Sequence, residues 1–198
     1  MESPDSKRIR LRELNKTDWP AIEKLFGLKG ACGGCWCMHW RVPKGGKAWE
    51  EAKGKPNRDR FRRLVKSGKV DAVMAFANGE PIGWCTDGPR ETFPRLKTVR
   101  ALQRELDEGS WAVVCFYVHV RWRGEGVGVR LLQAAVEQAR ASGATELEGF
   151  PVVPKSPKRL PAAFAWTGVP EQFKRAGFKK LRRKGETRPI YVVDLRGG

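Results

Sequence analysis

Residues 111–132 read WAVVCFYVHVRWRGEGVGVRLL, which places an apolar strand, a glycine-rich turn and the start of a helix next to one another. The stretch 111–120 is almost continuously apolar, as is typical of a strand covered on both faces. After the turn, apolar residues recur on one side of a helix that continues to about Ser142, and Gly143 closes it. The free N–H groups and the positive dipole end at a helix start bind anions. The run therefore predicts a strand, turn and helix that hold an anionic ligand.

The turn itself contains Gly124, Gly126 and Gly128. Glycines allow the backbone to approach an anion closely and to adopt positive φ. Their G-x-G-x-G spacing differs from the G-x-G-x-x-G of dinucleotide-binding domains, and the turn lies beyond the middle of the chain. The chain also lacks a G-x-x-x-x-G-K-[ST] phosphate loop. The pattern therefore argues against dehydrogenases and P-loop kinases.

Outward from this run, the sequence predicts short strands and helices in alternation. Upstream we expect a strand at 8–14, a helix starting at Thr17 or Asp18, helices at 47–53 and 57–67, a hairpin of strands 70–77 and 82–87, and a short helix near 96–106. Downstream we expect a strand at 145–152, a helix at 170–176 and strands at 178–182 and 189–195. This order predicts an α/β or α+β fold.

Length and composition favour one folded domain. The chain has 198 residues, 40% hydrophobic residues and eight Trp, which is too apolar for a disordered basic tail. It contains no apolar run of the roughly 18 residues that a membrane-spanning helix needs. Residues 1–10 are polar and charged, so we expect no secretory signal and a cytoplasmic location.

The formal net charge is +17, from 39 Lys and Arg against 22 Asp and Glu, and it calls for an acidic partner. Nucleic acid, a phosphate-rich cofactor, an anionic membrane and an acidic protein all meet that requirement. Because the basic residues are spread over the whole chain, charge alone does not choose among them.

The run resembles the signature of the GCN5-related N-acetyltransferase (GNAT) superfamily, [R/Q]-x-x-G-x-[G/A] between an apolar fourth strand and a helix. Residues 123–128 carry that signature, 116–120 (FYVHV) precede it, and 173–178 (FKRAGF) resemble a late family segment that ends in Gly-Phe. The resemblance implies a mixed central sheet of about six or seven strands with helices on both faces. The fourth strand (111–120) and the fifth (145–152) would splay apart. One domain would then span residues 1–198, with its cofactor-binding core at about 111–150.

The same resemblance implies acetyl-CoA as the co-substrate, bound between the splayed strands. Its pantetheine arm would pair with main chain around Phe116 to Val120, and its pyrophosphate would lie on the N–H groups of about Arg123 to Gly128. The implied cofactor-binding residues are Phe116, Tyr117, Val118, Val120, Arg121, Arg123, Gly124, Glu125, Gly126, Val127, Gly128 and Arg130. Arg121, Arg130, Lys174 and Arg175 are further candidates for the 3′-phosphate, and solvated surface charge is the alternative for each.

The implied reaction is direct transfer of the acetyl group to a primary amine. In many relatives a Tyr in a Y-x-x-x-G-F pattern protonates the leaving thiolate, and here Phe173 stands at that position. The candidate acid-base groups are therefore Glu148, His119 and Tyr117, with Asp87 and Glu91 as weaker ones and Tyr191 as structural.

A Cys-rich segment, CGGCWCMHW at 32–40, lies within residues 30–46, which we predict to be a loop with some extended structure. Cys32, Cys35, Cys37 and His39 could hold zinc, although four ligands within eight residues is unusual spacing. In GNAT folds this segment covers the acceptor pocket, which would be lined by Cys35, Trp36, Cys37, Met38, Trp40 and Trp84. A third interpretation is an aromatic plug that packs the loop on the sheet. The "CWCM" run, the Gly83-Trp84-Cys85 strand and the segment 114–118 resemble a branch of bacterial GNAT-like sequences.

Two alternatives to an acetyltransferase remain open from the sequence. One is a GNAT-fold protein that binds acyl-CoA without transfer, since Phe173 replaces the usual acid. The other is a basic nucleic-acid-binding protein with a small Cys/His zinc site, although no nucleic-acid motif is recognisable. We expect a small-molecule or peptide amine acceptor of unidentified structure, no membrane partner, no nucleic acid, and a homodimer as in many GNAT proteins.

Overall fold

A computed structural model describes residues 9–153, 165–182 and 188–197. Its helices there are α1 (Trp19–Phe26), α2 (Lys47–Ala52), α3 (Lys55–Lys66), α4 (Val127–Ala141) and α5 (Pro170–Arg175). Its strands are β1 (Ile9–Glu13), β2 (Asp71–Ala77), β3 (Glu80–Asp87), β4 (Ser110–Val113), β5 (Cys115–Val118), β6 (Glu146–Gly149), β7 (Lys179–Leu181) and β8 (Ile190–Asp194). This α/β arrangement confirms the predicted fold class.

Two four-stranded sheets form the centre of the described part of the chain. The first has the order β1-β2-β3-β5, and its neighbours are all antiparallel. The second has the order β4-β6-β8-β7, in which only β4 and β6 are parallel. The predicted hairpin is β2 and β3, whose turn residues Asn78 and Gly79 have φ of 51° and 78° as a tight hairpin turn requires.

The two sheets are joined by a bulge within the predicted fourth strand. The N–H of Val114 donates to the carbonyl of Thr86 at 3.0 Å, and the next residue, Cys115, also lies opposite Thr86. Two consecutive residues of one strand thus face a single residue of its neighbour, which defines a β-bulge and bends the strand. The stretch that the sequence predicts as one strand is therefore two, β4 and β5, assigned to different sheets.

The bulge opens a gap at the centre of the fold. Before it, β4 pairs with β6, whereas after it β5 pairs with β3. Within the described residues β5 has no pairing with β6, so the two strands diverge. This confirms the predicted splay and creates a cleft whose walls are β5 and β6.

Helices cover both faces of the first sheet. On one face, α4 contributes Leu131, Leu132 and Ala135 to a core that includes Val73 and Cys85. On the other face, α1 and α3 pack with the loop 30–46 in a second core that contains Trp19, Phe61 and Trp84. A third cluster, with Trp40, Phe93 and Phe150, lies on the second sheet.

Two local predictions were wrong. The helix expected near 96–106 is replaced by short 3-10 turns at Arg90–Thr92, Pro94–Lys97 and Arg100–Leu102, in which the buried Leu96 and Leu102 serve as anchors. The extended structure expected within 30–46 is a series of turns. There Ala31, Trp36 and Cys37 adopt positive φ of 66°, 47° and 53°, a conformation that prevents a strand.

Candidate functional site

The cleft wall formed by β5 presents main-chain groups that β3 does not use. The N–H of His119 donates to the carbonyl of Ile82 at 2.9 Å, which fixes the alternation along the strand. Cys115 and Tyr117 therefore direct their main-chain groups toward β3, while Phe116 and Val118 direct theirs into the cleft. An extended ligand in the cleft could hydrogen-bond with these main-chain groups and so add a strand beside β5.

Each of these cleft-facing residues has one group in use. The N–H of Phe116 donates to the carbonyl of Trp166 at 2.6 Å. The Nε of Arg123 donates to the carbonyl of Val118 at 2.9 Å. Trp166 belongs to a short segment that also hydrogen-bonds with the end of β6, through Val152 N–H and the carbonyl of Gly168 at 2.9 Å. The segment around Trp166 thus lies against the cleft.

The glycine-rich turn at the start of α4 leaves room for a ligand. Gly124 and Gly126 have φ of 93° and 74°, and a Cβ added to either would meet no atom within 4 Å. The N–H groups of Gly124, Glu125 and Gly126 form no hydrogen bond with any residue that the structure describes. Those of Val127 and Gly128 are in the first turn of α4, where no intrahelical acceptor exists. The turn is therefore an open set of N–H donors at a positive helix end.

The basic side chains near this turn behave differently from one another. Arg121 is exposed, Arg123 is tied to β5 as described above, and Arg130 donates to the carbonyl of Ile9 on β1 at 2.8 Å. Lys174 and Arg175 are exposed at the end of α5. Val120 is exposed. The side chain of Val127 is buried in the core, so any contact of Val127 with a ligand would come from its main chain.

Phe173, at the position of the usual acid, lies in a sealed aromatic cluster. Its side chain is fully buried, with ring centroids of Phe116, Phe178 and Tyr191 at 6.0, 5.1 and 5.9 Å. The ring also covers Gly149 on β6, where an added Cβ would lie 2.1 Å from Cε1. The phenyl ring of Phe173 is therefore enclosed by aromatic rings and by the backbone of β6.

Glu148 is placed in a buried ionic network, which gives it a structural role in place of the predicted catalytic one. Its side chain has no exposed area and pairs with Arg90 through one oxygen and with Arg104 through the other, the latter at 2.9 Å. Arg104 also pairs with Glu146, and the carboxylates raise the pKa of Arg104 against the opposing effect of burial. A carboxylate with no exposed side-chain area and a guanidinium group on each oxygen is suited to hold the surrounding segments together.

The remaining acid-base candidates are separated. Tyr117 is half-buried on β5, its ring 5.8 Å from Phe26. His119 caps the 3-10 turn Val120–Trp122, since its Nδ1 accepts from the N–H of Arg121 at 3.4 Å. Asp87 is fully buried, and burial followed by the charge of Asp71 raises its pKa well above the usual value. Glu91 is exposed.

The Cys-rich loop divides between core and cleft. Trp36, Met38 and Trp84, predicted for the acceptor pocket, are buried in the core beneath α1 and α3, where Trp36 stacks on Trp19 at 5.8 Å. The aromatic-plug interpretation therefore describes this half of the loop. Cys37 is buried beside Cys115, with their sulfur atoms 3.7 Å apart.

The thiols and the histidine of the loop are the residues that the zinc interpretation needs together. Among the residues that the structure describes, no group of three or more His, Cys, Asp or Glu side chains is placed to hold a metal ion. Burial and the neighbouring Cys37 raise the pKa of Cys35 to about 12. The zinc interpretation of Cys32, Cys35, Cys37 and His39 is therefore not supported.

The other half of the loop packs toward the cleft and contains groups that the sequence did not single out together. His39 has its ring within 4.9–5.4 Å of the ring centroids of Trp40, Trp49 and Trp166. Burial, and then the charges of Arg95, Arg188 and Lys53, lower the pKa of His39 to about 4. The imidazole is therefore neutral at pH 7, in a setting that is aromatic and cationic. Trp166 and Arg188 follow no motif, and only their tertiary contacts place them here.

A sequence model described as the Acetyltransferase (GNAT) family matches residues 37–155, more than half of the chain. A comparison with curated proteins gives no match. Across the described residues, every helix is too short or too polar to cross a membrane.

Solved structures of acetyltransferases share the fold at low sequence identity. An N-acetyltransferase from Staphylococcus aureus Mu50 is 16% identical, with a TM-score of 0.55 over 96% of this chain and 99% of its own. The PaiA N-acetyltransferase from Thermoplasma acidophilum, in complex with coenzyme A, is 14% identical, with a TM-score of 0.52 over 94% of this chain and 99% of its own.

An antibiotic-modifying enzyme is also similar. The aminoglycoside acetyltransferase AAC(6')-Ib, in complex with coenzyme A, is 19% identical, with a TM-score of 0.54 over 94% of this chain and 95% of its own. Another structure of AAC(6')-Ib holds paromomycin and acetyl-CoA.

Proposed function

The chain belongs to the GNAT acetyltransferase family, and from that premise we propose that it transfers the acetyl group of acetyl-CoA directly to a primary amine of a small-molecule or peptide acceptor. Acetyl-CoA supplies an activated acetyl thioester when it is bound. The single observation that carries the proposal is the bulged strand β4–β5, which turns the main chain of Phe116 and Val118 into the cleft. We further propose that residues 1–198 form one domain, with 111–150 as its cofactor-binding core.

The described residues offer hydrogen-bonding groups suited to two polar parts of acetyl-CoA, its pantetheine arm and its pyrophosphate. The Val118 N–H and the Phe116 carbonyl face the cleft with no hydrogen bond to a described residue, so they are suited to pair with the amides of a pantetheine arm. The open N–H groups of the turn 124–128 are suited to pyrophosphate, because the dipole of α4 adds positive potential there. Arg121, which is exposed beside this turn, is the side chain that we propose to assist.

The proposed chemistry depends on main-chain donors more than on a side-chain acid. An N–H that faces the cleft next to the bulge, that of Phe116, would stabilise the oxyanion that develops on the thioester carbonyl. In this structure the Phe116 N–H donates to the Trp166 carbonyl, so that hydrogen bond would have to break first. Phe173 cannot donate a proton. Tyr117, on β5, and His119, at the strand exit, are the proton-transfer groups that we propose in its place.

Binding of acetyl-CoA is the first test of the proposal. Acetyl-CoA at about 100 times its Kd should stabilise the folded protein by about 2.7 kcal/mol and so raise its melting temperature. Release of the free CoA thiol with an amine panel then tests transfer. A thermal shift without thiol release would favour the alternative that the protein binds acyl-CoA and does not transfer. Absence of any shift at millimolar acetyl-CoA would contradict the cofactor assignment.

The glycine turn offers a matched pair of variants. Gly126→Trp should weaken acetyl-CoA binding by more than about 100-fold, because the indole would occupy the space over the N–H groups. Gly143→Trp is the control, since Gly143 lies at the other end of α4 with a similar φ of 76° and equally open surroundings. Both variants should lose similar stability from the φ strain. Equal affinity of the two for acetyl-CoA, measured by calorimetry, would show that the turn does not hold the phosphates.

A further inference from the structure

A group of buried N–H donors without acceptors lies where the Cys-rich loop meets the turns after β3. The atoms are Trp40 Nε1, Arg41 Nε and Arg95 Nη1, none of which has a hydrogen-bond partner among the described residues. The two segments are joined by a hydrogen bond from the Arg95 N–H to the Trp40 carbonyl at 3.3 Å. We call Trp40, Arg41 and Arg95 the donor cluster. A buried donor left unpaired costs about 1–3 kcal/mol, and more when charged, so three together indicate a missing acceptor.

The surroundings of the donor cluster are positively charged. Arg41 and Arg95 form no ion pair with a carboxylate in the described part of the chain. The guanidinium of Arg188 lies 5.7 Å from the Trp40 ring, and that of Arg41 lies 4.9 Å from the Phe93 ring.

Two carboxyl groups, Asp71 and Asp87, act on Arg41 from a distance. Burial lowers the pKa of Arg41, and the charges of these two carboxyl groups raise it. Beside Trp40, the charges of Arg95, Arg188 and Lys53 all act on the neighbouring His39, so an anionic group would meet positive charge there.

The donor cluster is close to the cleft. The Trp40 ring packs against the Trp166 ring, with centroids 5.8 Å apart. The carbonyl of Trp166 accepts the N–H of Phe116, the group that faces the cleft beside the bulge. One aromatic layer thus separates the donors from the position proposed for the thioester.

We propose that the acceptor carries, besides its amine, an anionic oxygen-bearing group, either a carboxylate or a phosphate, which accepts hydrogen bonds from Trp40, Arg41 and Arg95. The proposal rests on the acetyltransferase function given above and assigns the acceptor class of that site. Guanidinium groups suit both anions, because charge-assisted hydrogen bonds to them are the stronger ones. Polycationic acceptors such as paromomycin, which AAC(6')-Ib holds in one structure, should be disfavoured by the same charges.

Matched amines test the proposal on the unmodified protein. The probes are β-alanine against β-alaninamide, O-phosphoethanolamine against ethanolamine, and spermidine as a polycation, each assayed by CoA thiol release with acetyl-CoA. We expect kcat/KM for at least one anionic probe to exceed that of its neutral match by at least about 10-fold, which corresponds to about 1.4 kcal/mol. The two pairs also distinguish a carboxylate from a phosphate preference. Equal or better use of the neutral or cationic probes would overturn the inference.

Variants then assign the preference to the donor cluster. Arg95→Gln and Arg41→Gln should each raise KM for the preferred anionic probe by about 10-fold or more, with little change for its neutral match. Arg100→Gln, at an exposed position in the following 3-10 turn, is the control and should change neither. Unchanged selectivity in both cluster variants would also overturn the inference. Because the amine comparison uses the unmodified protein, it stands even where a variant fails to fold.

The outcomes separate this inference from the proposed function. Acetylation that prefers neutral amines contradicts only the acceptor class. Failure of acetyl-CoA to bind, or of any amine to release CoA, contradicts the acetyltransferase proposal itself.

Discussion

Glu148 lies between two guanidinium groups at the base of the cleft, with Arg90 on one oxygen and Arg104 on the other. Moving a charged group from water into the protein interior costs several kcal/mol. Here the carboxylate and the two guanidinium groups offset that cost for one another, so the balance depends on the carboxylate being present. The network also ties β6 to the turns that follow β3, since Arg90 donates to the carbonyl of Leu102 at 2.8 Å. At the residue scale, this carboxylate contributes to the walls of the cleft and not to the reaction within it.

Glu148→Gln should therefore lower the free energy of unfolding by about 3–5 kcal/mol, because it leaves the buried Arg90 without its anion and Arg104 with only Glu146. Urea denaturation measures this. Glu137→Gln is the control: Glu137 pairs with Arg140 at the surface, with 72% of its side chain exposed, and should change stability little. A large loss of kcat with unaltered stability would instead indicate that Glu148 acts as a base.

At the scale of elements, the decisive feature is the change of partner within one strand. Before the bulge, the N–H of Ala112 donates to the carbonyl of Gly88 at 2.9 Å, so the main-chain groups of even-numbered residues point to the β3 side. After the bulge, the N–H of His119 donates to the carbonyl of Ile82, so those of odd-numbered residues do. One extra residue thus reverses which main-chain groups point into the cleft. The helix α4 follows this strand after the 3-10 turn Val120–Trp122 and the glycine turn, so the open N–H groups of its first turn lie beyond the end of β5.

Acetyl-CoA bound as an added strand should slow the exchange of the Val118 amide by at least about 10-fold, because that N–H faces the cleft without a partner among the described residues. Residue-resolved hydrogen exchange followed by NMR gives the rate. The Tyr117 amide, which faces β3, is the internal control and should keep its rate. Protection of neither amide by saturating ligand would mean that the pantetheine arm does not pair with β5.

At the scale of the whole molecule, the charge of +17 exceeds what one bound cofactor needs. Some basic side chains are already paired, as Arg12 is with Asp18 at 2.5 Å and Arg196 with Asp107 at 2.9 Å. Many others are exposed and create a positive field around the protein. Such a field raises the rate at which anions arrive, and salt screens it over about 10 Å at 0.1 M.

The KM for acetyl-CoA should therefore rise several-fold between low and high ionic strength, for example from about 0.02 M to about 0.5 M salt, while kcat changes less. Initial rates over a salt series measure both constants. Potassium glutamate and potassium chloride should give the same trend if screening is the cause. A KM independent of salt would show that the surplus charge does not steer the cofactor.

Much of the fold was predictable because its signals are local. The periodicity of α4, the Asn78-Gly79 turn between β2 and β3, and the glycines at 124–128 each depend on a few neighbouring residues. The GNAT motif predicted that the fourth and fifth strands splay apart, and the strand pairing confirms this, since β4 pairs with β6 and β5 does not. The helix expected near 96–106 failed because its apolar residues anchor separate turns, and sequence spacing does not distinguish those two arrangements.

The sequence by itself determined the fold class, the family and the glycine turn, since the physical constraints behind them act within one strand, turn and helix. Only the tertiary structure decided which side chains meet at the cleft. Glu148 proved to be paired with arginines 58 and 44 positions away, and Trp166 reached both Trp40 and Phe116 across the chain. Burial and charge at such places depend on segments that are distant in sequence. Those contacts placed Glu148 in an ionic network and left Trp40 Nε1, Arg41 Nε and Arg95 Nη1 without acceptors among the described residues.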